Sequence, residues 1–344
     1  MQSAGRAGTL PLTVAGGTVA EAAGILQVGC GQRSGLDDPQ SCPGSTSDRN
    51  RQKVDKLMAT NNPYEALVEG FARLLTEGEA LNPLGLIPPK RPPVAGDASK
   101  LLIFAPHPDD EVIIGGLPLR LLRELRFNVV NVAVTLGSRT ERRAERWREL
   151  KNCCDYIGFG LVAAGENGLE GINPVTREQQ PQRWSAAVKA IADILAAQRP
   201  SIIFFPHDDD WNKTHIGVHY LVREALSSAG VSCQVVETEF WGAMDAPNLM
   251  VESSVADVAD LVAALSLHVG EVARNAYHLR LPAWMIDNVR RGAELVGGQG
   301  GTAPRFAFAT LYRLSRWENG RLHDVLKGGQ VLSSRDDLGK LFQP

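Results

Sequence analysis

Residues 104–111 place one imidazole and three carboxyl groups directly after a short apolar run. The segment reads Phe-Ala-Pro-His-Pro-Asp-Asp-Glu, and residues 101–104 have the continuous apolar pattern of a buried strand. Four ionisable side chains at one strand exit repel one another or carry a high desolvation cost, unless a divalent cation or a reacting water organises them. The pattern therefore favours a metal site over a structural role.

A second group of histidines and aspartates follows another apolar run, residues 201–205. Its ionisable members are His207, Asp208, Asp209, Asp210, His215 and His219. In open parallel sheets, ligands bind beyond the carboxyl ends of the strands. The two groups are therefore expected at the same edge of one sheet.

A hydrolytic metal site uses about three protein ligands and keeps one position open for water. His107 and Asp110 can supply two ligands from the first group, and His215 can supply the third. Asp109 could then remove a proton from the bound water. The alternative ligands are His207, Asp208, Asp209, Asp210 and His219. A pair formed by His215 and His219 alone lacks the glutamate of a His-Glu-x-x-His zinc site.

Strand and helix patterns alternate along most of the chain after residue 100. Strands are predicted at residues 101–104, 128–135, 201–205 and 233–240. Helices are predicted at residues 115–126, 140–157, 182–198 and 214–228. Apolar strands separated by helices of ten or more residues predict an α/β, Rossmann-like fold, with a mostly parallel, doubly wound sheet and helices on both faces.

Three regions are predicted along the 344 residues. Residues 1–57 lack apolar periodicity and are expected to form a poorly ordered tail, with Met58 as an alternative start to Met1. Residues 58–98 combine an amphipathic helix with the proline-rich linker 88–93. Residues 99–344 are expected to form the catalytic domain with a C-terminal extension.

Composition excludes several classes of partner. The formal net charge is -3, so nothing favours nucleic acid or an acidic membrane surface. No apolar stretch of about 18 residues predicts a membrane-spanning helix. The five cysteines form no Cys-x-x-Cys pair, which favours a reduced, cytoplasmic location. A polar or neutral small molecule is the expected partner, and a homo-oligomer is left open.

The segment 105–111 resembles the Pro/Ala-His-Pro-Asp-Asp-Glu signature of the PIG-L (LmbE-like) family, zinc-dependent deacetylases of N-acetylglucosamine-type substrates. The similarity extends over about 100–240 and includes Thr-Leu-Gly at 135–137 and an Arg-x-x-Glu helix at 146–149. By this resemblance His107, Asp110 and His215 are the metal ligands and Asp109 is the general base. The resemblance also makes Arg146 a substrate contact. A solvated basic helix face is the alternative for Arg146, because Arg139, Arg142, Arg143 and Arg148 lie nearby.

The second family signature is only partly present. Many members have His-Pro-Asp-His where this chain has Asn212-Lys213-Thr214-His215. The final histidine remains, whereas the upstream histidine and aspartate are replaced.

Three functions are compatible with this pattern. The resemblance implies a zinc-dependent hydrolase, with other divalent metals as alternatives, that removes an acetyl group from an N-acetylated sugar or glycoconjugate. The alternatives are a metal-dependent amidase or esterase on another substrate and a catalytically impaired sugar-binding protein.

Overall fold

A nine-stranded mixed sheet organises the protein in a computed structural model that describes residues 62–343. The strands are β1 (Lys100–Ala105), β2 (Asn128–Ala133), β3 (Gly160–Ala163), β4 (Ile202–Pro206), β5 (Cys233–Thr238), β6 (Leu249–Ser253), β7 (Phe308–Glu318), β8 (Arg321–Asp324) and β9 (Gln330–Leu332). The predicted tail at residues 1–57 lies outside the described residues. From Ala66 onward the described residues form one compact unit.

The helices follow the strands in alternation through the first two thirds of the sheet. They are α1 (Glu65–Glu79), α2 (Asp110–Ile113), α3 (Leu117–Leu125), α4 (Arg143–Ile157), α5 (Pro174–Gln179), α6 (Pro181–Gln198), α7 (Lys213–Ala229), α8 (Val255–Ser266), α9 (Val269–Arg274) and α10 (Leu281–Leu295). Short 3-10 turns cover Thr140–Arg142, Tyr277–Leu279 and Leu338–Lys340. No helix in the described part of the chain is both long and apolar enough to cross a membrane.

The sheet order confirms the predicted doubly wound α/β class. Strands run in the order β3-β2-β1-β4-β5-β7-β6-β9, with β8 paired to β7. The first five are parallel, whereas β7 is antiparallel to both neighbours β5 and β6. The strand order reverses between β1 and β4, which is where such folds form a crevice. Both predicted site loops leave the sheet at this reversal.

Strand β1 shows why a parallel sheet forms here. Leu101 and Ile103 pack into the apolar layer on one face, and Leu102 and Phe104 pack into the layer on the other. All four side chains are buried, so the strand needs apolar residues at every position rather than at alternate ones. Helices α3 and α4 cover the first face, and α6 and α7 cover the second.

Candidate metal centre

The loop between β1 and α2 holds two of the candidate ligands. Asp110 begins α2, and its Oδ2 accepts the backbone N–H of His107 at 2.8 Å. Asp109 lies between them with a φ of 112°. This backbone region costs a non-glycine residue on the order of 1–3 kcal/mol. The turn directs the neighbouring carboxylates of Asp109 and Asp110 toward different partners.

The ligand atoms of His107, Asp110 and His215 converge on one point. Oδ2 of Asp110 lies 3.3 Å from Nδ1 of His107 and 3.2 Å from Nε2 of His215. The two imidazole nitrogens are 3.3 Å apart. His215 enters from the first turn of α7, which follows β4, so the two clusters found in the sequence meet across the reversal of strand order.

The electrostatics of these residues favour a cation. Burial would raise the pKa of Asp110, but the charge of His215 and hydrogen bonds from His107 and His215 outweigh burial and lower it. Burial would lower the pKa of His215, but Asp110 and Asp210 raise it to about 10. A proton on His215 thus compensates the buried carboxylate, and a divalent metal ion would take over this role.

The donor set fits a zinc-like ion. Oδ1 of Asp110 is buried and has no hydrogen-bond partner within residues 62–343. One ligand atom from each of His107, Asp110 and His215 lies within 4.8 Å of the others. Two imidazoles and one carboxylate are the ligands of a hydrolytic zinc site that keeps a position open.

Asp210 contacts the ring nitrogen of His215 that does not face Asp110. Its Oδ2 lies 3.4 Å from Nδ1 of His215, and its Oδ1 accepts the backbone N–H of Asn212 at 2.8 Å. Metal-binding histidines usually donate their second ring N–H to such a carboxylate. Asn212 in turn caps α7, because its side chain accepts the N–H of Thr214 at 2.8 Å. The asparagine that stands in place of the upstream signature histidine therefore serves as the helix cap.

Asp109 lies beside the candidate ligands and is itself buried. Its Oδ2 accepts the hydroxyl of Tyr277 at 2.7 Å, and its backbone N–H donates to Oε2 of Glu111 at 2.8 Å. Burial and the charge of Asp110 raise the pKa of Asp109 to about 7, although Arg146 and Tyr277 oppose the shift. A carboxyl group with this pKa can both accept and return a proton near neutral pH.

Two residues of the site were missed by the sequence analysis. Tyr277 contacts Asp109, and His268 lies 2.7 Å through its Nε2 from Oε1 of Glu111. Both come from the segment between α8 and α10, where the sequence carries no recognisable signature. An isolated histidine or tyrosine gives no signal without the fold that brings it to the first loop.

Arg146 reaches the site, where its Nε is buried without a hydrogen-bond partner among the described residues. Its Nη2 donates to the carbonyl of Pro108 at 3.0 Å and lies 3.7 Å from Oδ2 of Asp109. Its Nε lies 3.8 Å from Glu271, and only 12% of the side chain is exposed. This placement is unlike a solvated helix face. Substrate contact by Arg146 stays a prediction.

The alternative ligands named from the sequence are not part of the group formed by His107, Asp110 and His215. Nε2 of His207 pairs with the carbonyl of Gly242 at 2.9 Å. Nδ1 of His219 donates to the carbonyl of Pro206 at 3.0 Å, in a separate group with Asp208 and Glu237. A third group consists of Glu111, Cys153 and His268, all buried.

Aromatic rings form one wall beside Asp109. The rings of Trp241 and Tyr277 pack with centroids 5.6 Å apart, and Phe240 packs against Trp241 and Trp284. Trp211, in the loop that carries Asp210, is 81% exposed. The approach to the site therefore offers flat apolar surfaces.

Comparison with known proteins finds a family model that matches part of this chain. Residues 102–226 match the family model described as PIG-L, GlcNAc-PI de-N-acetylase. The match confirms the resemblance to the PIG-L family over the part of the chain that carries both site loops. It leaves residues 227–344, with Tyr277 and His268, outside the matched region.

A curated relative and two solved structures are similar to parts of this chain. A 1D-myo-inositol 2-acetamido-2-deoxy-alpha-D-glucopyranoside deacetylase of Mycobacterium leprae is 25% identical over an alignment of 162 positions that covers 40% of this chain. The chain spans about half (53%) of the length of that relative. The conserved protein TT1542 from Thermus thermophilus is 19% identical, with a TM-score of 0.45 over 62% of this chain and 93% of that one. The N,N'-diacetylchitobiose deacetylase from Pyrococcus horikoshii is 18% identical, with a TM-score of 0.46 over 72% and 91%.

Proposed function

We propose that this protein is a zinc-dependent hydrolase that removes the acetyl group from an N-acetylated sugar or glycoconjugate. The observation that carries the proposal is the meeting of His107, Asp110 and His215 at one point with Asp109 beside them. The match to the de-N-acetylase family and the deacetylase relative support the choice of substrate class. Other divalent metals remain alternatives to zinc, and the cytoplasmic location stays a prediction.

In this proposal, different residues of the chain perform different steps of amide hydrolysis. A zinc ion held by His107, Asp110 and His215 would polarise the acetyl carbonyl and make water a stronger acid. Asp109 accepts the proton of the attacking water and returns it to the leaving amine nitrogen, so that acetate and the free amine are released. Asp110 and His215 line a small cavity of about 20 Å³ that extends between β1 and β4.

Tyr277 and Arg146 position the base. The Tyr277 hydroxyl engages Oδ2 of Asp109, which leaves Oδ1 for the reacting proton. The guanidinium of Arg146 faces the same carboxylate and opposes the rise in its pKa, because a nearby positive charge favours the ionised form. Trp211 and Trp241 offer flat faces to a sugar ring or its apolar attachment.

The test combines metal analysis with acetate release. The purified chain should contain about one zinc ion, and His215→Ala should lose it because the site then keeps only two ligands. His219→Ala is the matched control, because this histidine lies one turn further along α7 and bonds to Pro206. Acetate release should be measured on a panel of N-acetylglucosamine conjugates, including ones with apolar attachments.

The outcomes separate the remaining alternatives. Zinc binding without acetate release, together with hydrolysis of other amides or esters, would favour an amidase or esterase. The replacement of the upstream signature histidine by Asn212 motivates this second hydrolase candidate. Full zinc occupancy in His215→Ala would contradict the proposed ligand set.

A further inference from the structure

Asp109 precedes helix α2 in a backbone conformation that the helix alone does not hold. Its φ of 112° is strained for an aspartate. An aspartate at this position usually caps its helix through the side chain, but no such hydrogen bond forms here. The carboxylate of Asp109 is bonded to Tyr277 instead. Since α2 has only four residues, the conformation needs support from hydrogen bonds beyond those of the helix.

The carboxylate of Glu111 supplies such support. Its Oε2 accepts the backbone N–H of Asp109 at 2.8 Å. A glutamate that reaches back to the N–H of the cap residue forms one half of a capping box, although Glu111 stands one position earlier than is usual. This hydrogen bond orients the peptide unit between Pro108 and Asp109, and with it the direction in which the Asp109 side chain leaves the backbone.

His268 contacts the other oxygen of the same carboxylate. Its Nε2 lies 2.7 Å from Oε1 of Glu111. Both side chains are at most 1% exposed, so bulk water does not replace this contact. A buried carboxylate needs hydrogen-bonded partners, and an imidazole N–H is a suitable donor. His268 therefore keeps Glu111 in the position from which Oε2 accepts the Asp109 N–H.

The backbone at residue 268 is fixed by the junction of two helices, α8 and α9. Its N–H donates to the carbonyl of Leu265 at 3.1 Å, and its carbonyl accepts the N–H groups of Glu271 and Val272 at 3.0 Å each. In the imidazole, Nδ1 is buried without a hydrogen-bond partner among residues 62–343. Within that part of the chain, the ring thus makes its hydrogen bond to Glu111 only.

We infer that His268 is a positioning residue for the proposed base: through Glu111 it fixes the backbone of Asp109 and so the direction of the carboxylate. The contacts run from the imidazole to Glu111 and from Glu111 to the Asp109 N–H. Asp110 is held separately, by the backbone N–H of His107 and by two imidazoles. The kinetic consequence of this inference rests on the proposed function.

A second metal site is the alternative for this buried group. One ligand atom from each of Glu111, Cys153 and His268 lies within 4.8 Å of the others. However, both oxygens of Glu111 already accept hydrogen bonds, one from the Asp109 N–H and one from His268. A metal ion would have to displace at least one of these donors. The positioning role therefore predicts one zinc ion per chain rather than two.

Amide hydrogen exchange, followed by NMR, tests the positioning without an assay of activity. In the wild-type protein the Asp109 amide should exchange slowly, because it is bonded to Glu111 in a buried place. His268→Leu removes the donor, and the Asp109 amide should then exchange roughly tenfold faster or more. His268→Gln should restore slow exchange, because its side-chain amide can donate from about the place of Nε2. Rapid exchange of Asp109 in the wild type would overturn the inference, even if His268→Leu failed to fold.

His219→Leu is the matched control for the loss of a buried imidazole. His219 is also buried, bonds through Nδ1 to the carbonyl of Pro206, and has an Nε2 without a partner within the described residues. Its replacement should lower stability without changing the exchange of the Asp109 amide. Equal acceleration of that amide in both leucine variants would show a general loosening of the fold and would contradict the positioning role.

The kinetic test uses the same variants together with zinc analysis. In His268→Leu, kcat for acetate release should fall by up to about 10²-fold, because the base is misdirected, while KM and zinc content stay near those of the wild type. His268→Gln and His219→Leu should keep kcat near the wild-type value. An unchanged kcat in His268→Leu would overturn the positioning role. So would a second zinc ion in the wild type that His268→Leu loses.

Failure of the proposed function gives a different result. A wild-type chain that binds zinc but releases no acetate from any N-acetyl sugar would contradict the deacetylase proposal. The exchange of the Asp109 amide in His268→Leu and His219→Leu would still decide whether His268 holds the backbone of Asp109.

Discussion

The backbone directs the carboxylates of the neighbouring residues Asp109 and Asp110 to different partners. At a φ of 112°, Asp109 directs its carboxylate to Tyr277 while Asp110 directs its own to two histidines. The strained turn is held by the hydrogen bond from the Asp109 N–H to Glu111, which His268 contacts from the other side. Glu111 thus helps to hold the backbone conformation of Asp109, the proposed base.

Replacing Asp109 with Asn should separate catalysis from metal binding. The amide keeps the size of the side chain but cannot accept a proton, so kcat should fall by roughly 10²- to 10⁴-fold. Zinc content, measured by mass spectrometry, should stay near that of the wild type. Asp110→Asn is the control and should lose metal as well as activity. A near wild-type rate for Asp109→Asn would require a different base.

Replacing Tyr277 with Phe should weaken the base without removing it. The hydroxyl donates to Asp109 at 2.7 Å and opposes the rise in the pKa of that carboxyl group. We expect kcat to fall by roughly tenfold or more, as for loss of one hydrogen bond to a charged group. The ascending limb of the pH–rate profile should also move to higher pH. An unchanged profile would show that Tyr277 acts only in packing.

The activity should rise with pH over the range in which Asp109 loses its proton. Burial and the charge of Asp110 raise the pKa of Asp109 to about 7, and only the deprotonated form accepts a proton from water. A metal ion nearby would lower that pKa, so the midpoint of the holoenzyme should lie below that value. The measurement is kcat/KM against pH. A rate that falls as pH rises through this range would exclude Asp109 as the base.

The buried His219 should make stability depend on pH. Burial lowers the pKa of His219 to about 4, whereas in the unfolded chain it is about 6.5. Between these values the unfolded state binds more protons, so the free energy of unfolding should decrease as pH falls from 6.5 to 4. Urea unfolding of the wild type and His219→Gln at pH 7 and pH 4.5 isolates this contribution. An equal pH dependence in both proteins would contradict it.

The convergence of the three candidate ligands could be predicted from the sequence, whereas the residues that contact Asp109 and Glu111 could not. His107 and Asp110 lie within one signature, and His215 follows a second apolar run, so local patterns suffice. Tyr277 and His268 act through contacts between residues more than 150 positions apart in the chain. Such contacts depend on the path of the chain after β5, which no local pattern specifies.

At the scale of elements, the alternation of strands and helices predicts the parallel half of the sheet. The predicted strand at residues 101–104 is confirmed as β1, with one more residue at each end. The short β3 was missed, because its sequence Gly-Leu-Val-Ala is partly exposed and has no periodicity to detect. The antiparallel strand β7 was also missed, because it inserts between β5 and β6 from a distant part of the sequence.

The start of α7 explains part of the departure from the family signature. Asn212 accepts the N–H of Thr214 and thus satisfies one of the free donors at the first turn of the helix. Asn212→Ala should lower the free energy of unfolding by about 1 kcal/mol, while Asn212→Asp should keep most of it. Urea unfolding of the two variants measures the difference. Equal stabilities would show that the cap contributes nothing.

At the scale of the whole molecule, the family match ends before the fold is complete. Strand β7 pairs with β5 along six residues, and its Tyr312 is fully buried, with its hydroxyl donating to the carbonyl of Ile114 at 2.9 Å. Phe342, near the end of the described chain, is also fully buried. The C-terminal part therefore belongs to the core that holds the first site loop.

A chain that ends at residue 240 should fail to form the site, although it contains all three proposed ligands and the whole matched region. Removal of β7 leaves β5 as an unpaired edge strand, exposes the apolar face below α2, and deletes Tyr277 and His268. We expect no cooperative thermal transition and no bound zinc, as measured by circular dichroism and metal analysis.

A chain that ends at residue 340 is the control with a milder truncation. It loses mainly Phe342 and should fold with a lower Tm, because emptying a buried aromatic site costs about 3–5 kcal/mol. Zinc binding and a cooperative transition in the chain that ends at residue 240 would show instead that the matched region is an independent domain.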